Sequence, residues 1–404
     1  MLKSINKKFE ALEAFSFALN LLNDTYIIEK NVEAKKLIIK AIKGMASKLD
    51  PHTMYLSNEQ LKELMMTSHS NKTGLILEPR NDNLKVIAVI DSSLAFNGGL
   101  NPGDTILKVN NILVTKKNRT SLLKTLKHST SLKIHYARFQ KGKLIKKSVS
   151  IGRHKQEHNV THTRLNDNYE YLKINLFESN TENEIRKILK KRKNLKGIIL
   201  DLRDNPGGLF EQAVRISNLF IPSGIIVSTE GRDPLKDREF EYAEKRLFMT
   251  DIPLVVLINE NSASASEILA GALKDHGRAF LIGQKSFGKG TVQTVVPLPH
   301  DFGGLKITIS QYKTPKGHTI QANGIMPDII IAKETKTTIP KAHESQLESH
   351  IGQNQSDLNP KLSSKSIKKW PKHLHDDEQV KAAFAYLKGL YRMQDTKYVL
   401  ENEN

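Results

Sequence analysis

Apolar positions follow different rhythms in different stretches of this chain. Residues 1–69 read as helical. Between Val32 and Leu49 the apolar residues Leu37, Ile38, Ala41, Ile42 and Met45 fall on one helical face. Phe9 to Leu22 reads as an amphipathic helix before it. Pro51 predicts a helix end, because the residue before a proline avoids the α region. From 70 to 152 the pattern shortens to strands, as in Gly74-Leu75-Ile76-Leu77, Val86 to Ile90 and Thr105 to Val109. Asn101-Pro102-Gly103-Asp104 is a turn signal. Arg119 to Leu126 predicts a short helix and Leu132 to Ala137 a strand, which together make a small α+β module.

From about 168 strands and helices alternate. Gly197 to Leu202, Leu254 to Ile258 and Phe280 to Ile282 are apolar runs of strand length. A turn, Asp204-Asn205-Pro206-Gly207-Gly208, and a helix to about Ile221 follow the first; a helix from Ser264 to His276 follows the second. Strand–helix–strand repetition predicts right-handed crossovers and a largely parallel sheet. Residues 335–375 are polar without clear periodicity, and Gln379 to Met393 predicts a terminal helix. The expected division is therefore a helical region at 1–69, an α+β module at 70–152, an α/β core at 153–334, a polar linker at 335–375 and a helical segment at 376–404.

Composition narrows the reading. A chain of 404 residues has room for two or three domains, and 38% hydrophobic with 26% charged residues suits a soluble globular protein. No apolar run reaches the roughly 18–20 residues that span a bilayer. Lys3, Lys7 and Lys8 give a basic start, but Glu10 and Glu13 interrupt the stretch that a signal peptide keeps apolar. The absence of cysteine excludes disulfides, cysteine zinc sites and a cysteine nucleophile. Lys+Arg of 62 against Asp+Glu of 43 gives a net charge of +19. The basic residues are spread along the chain. Their densest tract (Lys187, Lys190, Lys191, Arg192, Lys193, Lys196) reads as the end of an exposed helix. The charge is read as a solvated surface, and nucleic acid is not expected as a partner.

The candidate chemistry lies in two short stretches. Ser264, in Asn261-Ser262-Ala263-Ser264-Ala265-Ser266-Glu267, opens a helix. A Ser-x-x-Glu capping box alone accounts for both Ser264 and Glu267. Lys289 stands between Gly288 and Gly290, with Gln293 inside the strand that follows. A serine hydroxyl needs a base within reach, and a lysine serves once burial leaves it neutral. An oxyanion would need backbone N–H groups, which Ala265 and either Gly207 or Gly208 could supply. His52 is an alternative base. His276 lies near the far end of the serine's helix, about 18 Å away at 1.5 Å per residue. That removes it, with Asp201, Asp204 or Asp275, as a direct triad partner. His154-Lys155-Gln156-Glu157-His158, with His162 beyond, matches a zinc-peptidase pattern. The β-branched Val160, Thr161 and Thr163 beside it favour a solvated linker strand, so no metal site is expected.

Taken together, these pieces resemble the S41 serine peptidases, the carboxy-terminal processing or tail-specific proteases. Six stretches match in the family's order: Gly44-Met45 with Leu49 to Thr53; Ser92 to Asn110; Leu200 to Gly208; Ser262 to Glu267; Gly283 to Gln293; and Gly324-Ile325-Met326-Pro327-Asp328. The resemblance implies a crotonase/ClpP-like peptidase core at 153–334 and a PDZ domain at 70–152. It implies Ser264 as nucleophile, Lys289 as general base and Gln293 as the residue that positions the lysine. The oxyanion amides would be those of Gly208 and Ala265, and no cofactor is needed. Gly74, Leu75, Ile76 and Leu77 would hold the C-terminal carboxylate of a protein substrate with an apolar tail. An activating adaptor and a homodimer formed through the N-terminal helices fit the same resemblance, as does a location in the cell envelope. The chain departs from the family in Ile76, where a second glycine is usual, and in Lys127 to Ser131, which lacks a glycine-rich turn. The rival reading is a PDZ scaffold that is inactive or waits for a partner.

Overall fold

The computed structural model describes residues 2–28, 32–65, 73–80, 82–89, 93–101, 103–129, 131–140, 143–152, 159–165, 168–192, 194–331 and 371–402. Helices α1 (Leu2–Thr25) and α2 (Ala34–Ala46) come first, then strand β1 (Met54–Leu56) and helix α3 (Asn58–Met65). Several large apolar residues of α1 are exposed, Phe9, Leu12, Phe15 and Phe17 among them.

Residues 75–152 form a separate antiparallel sheet. Its strands are β2 (Leu75–Arg80), β3 (Asn83–Val89), β4 (Thr105–Val109), β5 (Ile112–Leu113), β6 (Ser131–Gln140) and β7 (Lys143–Gly152). The order is β2-β3-β4-β6-β7, with β5 beside β4. Helices α4 (Leu94–Asn97) and α5 (Arg119–His128) accompany it. Its core gathers Leu75, Val86, Ile106, Leu126 and Ile134.

The larger sheet runs β17 (Ile329–Ile330), β14 (Ala279–Gly283), β13 (Leu254–Ile258), β10 (Gly197–Asp201), β9 (Tyr169–Ile174), β8 (Val160–Leu165). All its pairings are parallel except β8 with β9. Every residue of β10 and β13 is buried, as expected of strands covered on both faces. Alternate side chains go to opposite sides. Ile198, Leu200, Val256 and Ile258 join a cluster with α6 (Thr181–Lys190), α7 (Phe210–Asn218) and α8 (Ala265–Asp275). Ile199, Val255 and Leu257 face Leu374 of α9 (Lys372–His375) and Val380, Phe384 and Leu387 of α10 (Glu378–Asn402). The terminal helix is thus the second cover of the sheet.

A second antiparallel sheet joins β1 to β16 (Gly304–Lys313), then β11 (Ile225–Glu230) and β12 (Arg238–Tyr242). Strand β15 (Thr291–Pro297) pairs with β16 as well. The N-terminal segment is therefore built into the same body as the lysine loop, through the register Tyr55↔Leu305.

Candidate active site

Three loops leave the carboxyl ends of neighbouring parallel strands and meet. In open α/β sheets this edge is where ligands bind. Strand β10 leads into the turn 204–208, β13 into 259–264, and β14 into 284–290. Asn205, wholly buried, stitches the first two loops. Its carbonyl accepts from Ala263 N–H (3.1 Å) and Ser266 Oγ (3.0 Å), and its Nδ2 donates to Ile174 O (2.8 Å). Asp204 Oδ1 accepts from Asn259 Nδ2 at 2.9 Å.

Ser264 is the N-cap of α8 with φ of +55°, a left-handed value that costs a non-glycine residue strain. The Gly207-Gly208 turn lies against it. A Cβ on Gly207 would stand 2.8 Å from Ala263 O and 2.9 Å from Ser264 Cβ, so only glycine permits this approach. Gly207 N–H is occupied, donating to Asn205 Oδ1 at 2.8 Å. Gly208 N–H and Ala265 N–H meet no protein acceptor among the described residues. The second of these stands at the positive end of α8.

Lys289 is half-buried on the loop after β14. The loop is held firmly. Gly288 O accepts from Ala322 N–H (2.8 Å), Gly290 N–H donates to Gln321 Oε1 (2.8 Å), and Ser286 N–H donates to Ile325 O (3.1 Å). Gln293 Nε2 donates to Thr291 Oγ1 (2.8 Å) and, more weakly, to Thr308 Oγ1 (3.4 Å). Thr308 Oγ1 in turn donates to Asp50 Oδ1 (3.1 Å), which also accepts from His52 N–H and Thr53 N–H at 2.8 Å each. Sequence reasoning missed this route from the Leu49-Asp50-Pro51-His52-Thr53 stretch to Gln293, because nothing local in either stretch points to the other.

Glu267 does more than cap. Its Oε2 accepts from Ser264 N–H (2.9 Å) and Lys289 N–H (2.9 Å); its Oε1 accepts from Gly288 N–H (2.6 Å) and Ser286 Oγ (2.5 Å). The carboxyl is wholly buried, and burial pushes its pKa up to about 7 against the pull of those four donors. The serine turn and the lysine loop therefore share one carboxylate.

The other candidates are engaged elsewhere. Asp201 pairs with Arg203, Asp275 Oδ2 accepts from Lys316 N–H (2.9 Å), and the His276 Nε2 atom is 2.7 Å from Ile225 O. His52 sits buried in the Asp50 turn. His154 and His158 lie outside the described residues. His162 is part of β8, not of a solvated linker, and its Nδ1 lies 2.9 Å from Glu170 Oε1. No group of three or more His, Cys, Asp or Glu among the described residues is arranged to hold a metal ion.

Comparison with known proteins defines the class as a serine-type peptidase. The family model for peptidase family S41 matches residues 168–331, the stretch that carries all three loops. A carboxy-terminal-processing protease of Bartonella bacilliformis is 34% identical over 374 residues, covering 88% of this chain and 83% of that protein. A probable CtpA-like serine protease of Staphylococcus aureus is 33% identical over 338 residues, covering 82% and 67%. Among solved structures, a photosystem II D1 C-terminal processing protease is similar with a TM-score of 0.54 at 26% identity, over 79% of this chain and 92% of that one. This chain belongs to peptidase family S41.

Proposed function

We propose that this peptidase cleaves protein substrates recognised by their C-terminal tails, using Ser264 and Lys289 as a catalytic dyad. Neutral Lys289 takes the proton of Ser264 as Oγ attacks the scissile carbonyl. The oxyanion rests on the N–H groups of Ala265 and Gly208. As the intermediate collapses, the Lys289 ammonium gives the proton to the leaving amine. Water then hydrolyses the acyl-enzyme, with Lys289 as base again. Gln293 positions the lysine.

The observation that carries this reading is the meeting of the serine turn and the lysine loop on one buried carboxylate, beside two amides with no acceptor of their own. The 70–152 module serves as a PDZ domain. Strand β2 is the edge of its sheet, and α5 packs next to it. An extended tail would add there as a further strand, its carboxylate at Gly74 to Leu77. The relatives' names support the tail-processing part of this reading.

The test is cleavage of an unfolded reporter ending in an apolar tail. Wild type cleaves; Ser264→Ala and Lys289→Ala each lose about 10⁴-fold or more in kcat/KM, as single losses from a cooperating set do. Cleavage that survives Ser264→Ala would sink the dyad.

A further inference from the structure

A helix cap needs one acceptor for one N–H, and such residues normally sit in water. Glu267 is wholly buried, and three of its four donors come from the downstream loop, at Ser286, Gly288 and Lys289. No cation neutralises it within that set. Burying a carboxylate among neutral donors is costly for the fold, and capping does not call for it. We propose that Glu267 is a positioning residue for acyl transfer: its ionised carboxylate gathers the amides of Ser264, Gly288 and Lys289 and so holds nucleophile and base in register. This rests on the Ser264–Lys289 reading.

An ionised carboxylate accepts at every site, so the three N–H donors and the Ser286 hydroxyl are all served. Protonation removes one acceptor position and leaves four donors competing for what remains. The register would then loosen, and a displacement of about 1 Å in a reacting group is enough for a loss of about 100-fold. The titratable groups in the segments packed round Glu267 are Asp204 in the Gly-Gly turn, Glu260 in the serine turn, and Lys285 and Lys289 in the lysine loop; 320–325 carries none. With burial pushing this carboxyl up to about 7, cleavage should need Glu267 charged.

The experiment follows kcat/KM for the tailed reporter across pH in wild type, Glu267→Gln, Glu267→Asp and Ser286→Ala. Below pH about 7, log kcat/KM of wild type should fall more steeply than that of Glu267→Gln, by about one in slope. At pH 8 Glu267→Gln should lose about 100-fold in kcat with KM within about twofold. Glu267→Asp should restore the steeper slope at an intermediate kcat. Ser286→Ala, which removes one donor to the charged form, should move the break to higher pH. If Glu267→Gln does not fold, Ser286→Ala carries the test. Equal slopes in wild type and Glu267→Gln, an unmoved break in Ser286→Ala, or Glu267→Gln within about threefold of wild type overturns the proposal. Activity surviving in Ser264→Ala defeats the dyad reading separately.

Discussion

Two buried carboxylates near the carboxyl edge of the central sheet have opposite surroundings. Asp201, at the end of β10, faces a cation. Arg203 reaches it with Nε and Nη2 at 2.6–3.0 Å, and Tyr171 adds its hydroxyl at 2.6 Å. Burial opposes its charge, yet Arg203 holds the carboxyl below the usual range. Glu267, at the start of α8, accepts from four neutral donors, and burial wins. Asp201 is spent on architecture, because the other end of Arg203 holds Asp377 (2.7 Å) and Gln379 (2.8 Å) at the start of α10. Glu267 lies between the serine turn and the lysine loop. A full ion pair locks a carboxylate in one state, whereas neutral donors leave it able to titrate near the pH at which an enzyme works.

The largest effect should come from breaking the paired site. Arg203→Ala leaves Asp201 buried without its cation and frees the start of α10. The expected loss is about 3–5 kcal/mol of unfolding free energy, read by denaturant titration at pH 7. A loss below about 1 kcal/mol would show that α10 does not depend on this cluster.

Next comes a test of sign. The raised pKa of Glu267 means that the folded state holds its proton more tightly than the unfolded one. Its contribution is fully present below about pH 4.5, the unfolded value, and is lost as pH rises to about 7. Wild type should therefore lose on the order of 3 kcal/mol relative to Glu267→Gln across that window. Asp201 runs the other way: its contribution is present at neutral pH and is lost only as pH falls below the ordinary aspartate range. A stability difference between wild type and Glu267→Gln that stays flat from pH 4.5 to 7 would put the two carboxylates in one class.

The two sites also differ in how far the sequence reveals them. The apolar runs of β10 and β13 mark a buried parallel sheet, and the strand-to-helix spacing places Ser264 at a helix start. Both follow from local periodicity. Glu267 is visible as a cap for the same reason. Its second role is not, because Ser286, Gly288 and Lys289 approach it only once β14 has paired with β13. Arg203 with Asp377 and Asp50 with Thr308 are joined only by the folded chain. The exposed apolar residues of α1 show the converse limit: an apolar helix in sequence need not be covered by its own chain.

Asp50 supplies the finest cut. Like Glu267 it is buried and takes neutral donors: His52 N–H, Thr53 N–H, Thr53 Oγ1 at 2.5 Å and Thr308 Oγ1. It touches neither the serine turn nor the lysine loop through those bonds, and connects toward Gln293 by way of Thr308. Thr308→Val removes that relay and keeps the shape of the side chain. Asp50 retains three donors, and Gln293 retains Thr291 at 2.8 Å. The cost should therefore be small, about 1 kcal/mol of stability with a fall of about threefold in kcat and an unchanged pH slope. If kcat falls as far as in Glu267→Gln, the N-terminal segment positions the base as strongly as Glu267 does. The division between structural and positioning carboxylates would then have to be redrawn around Gln293.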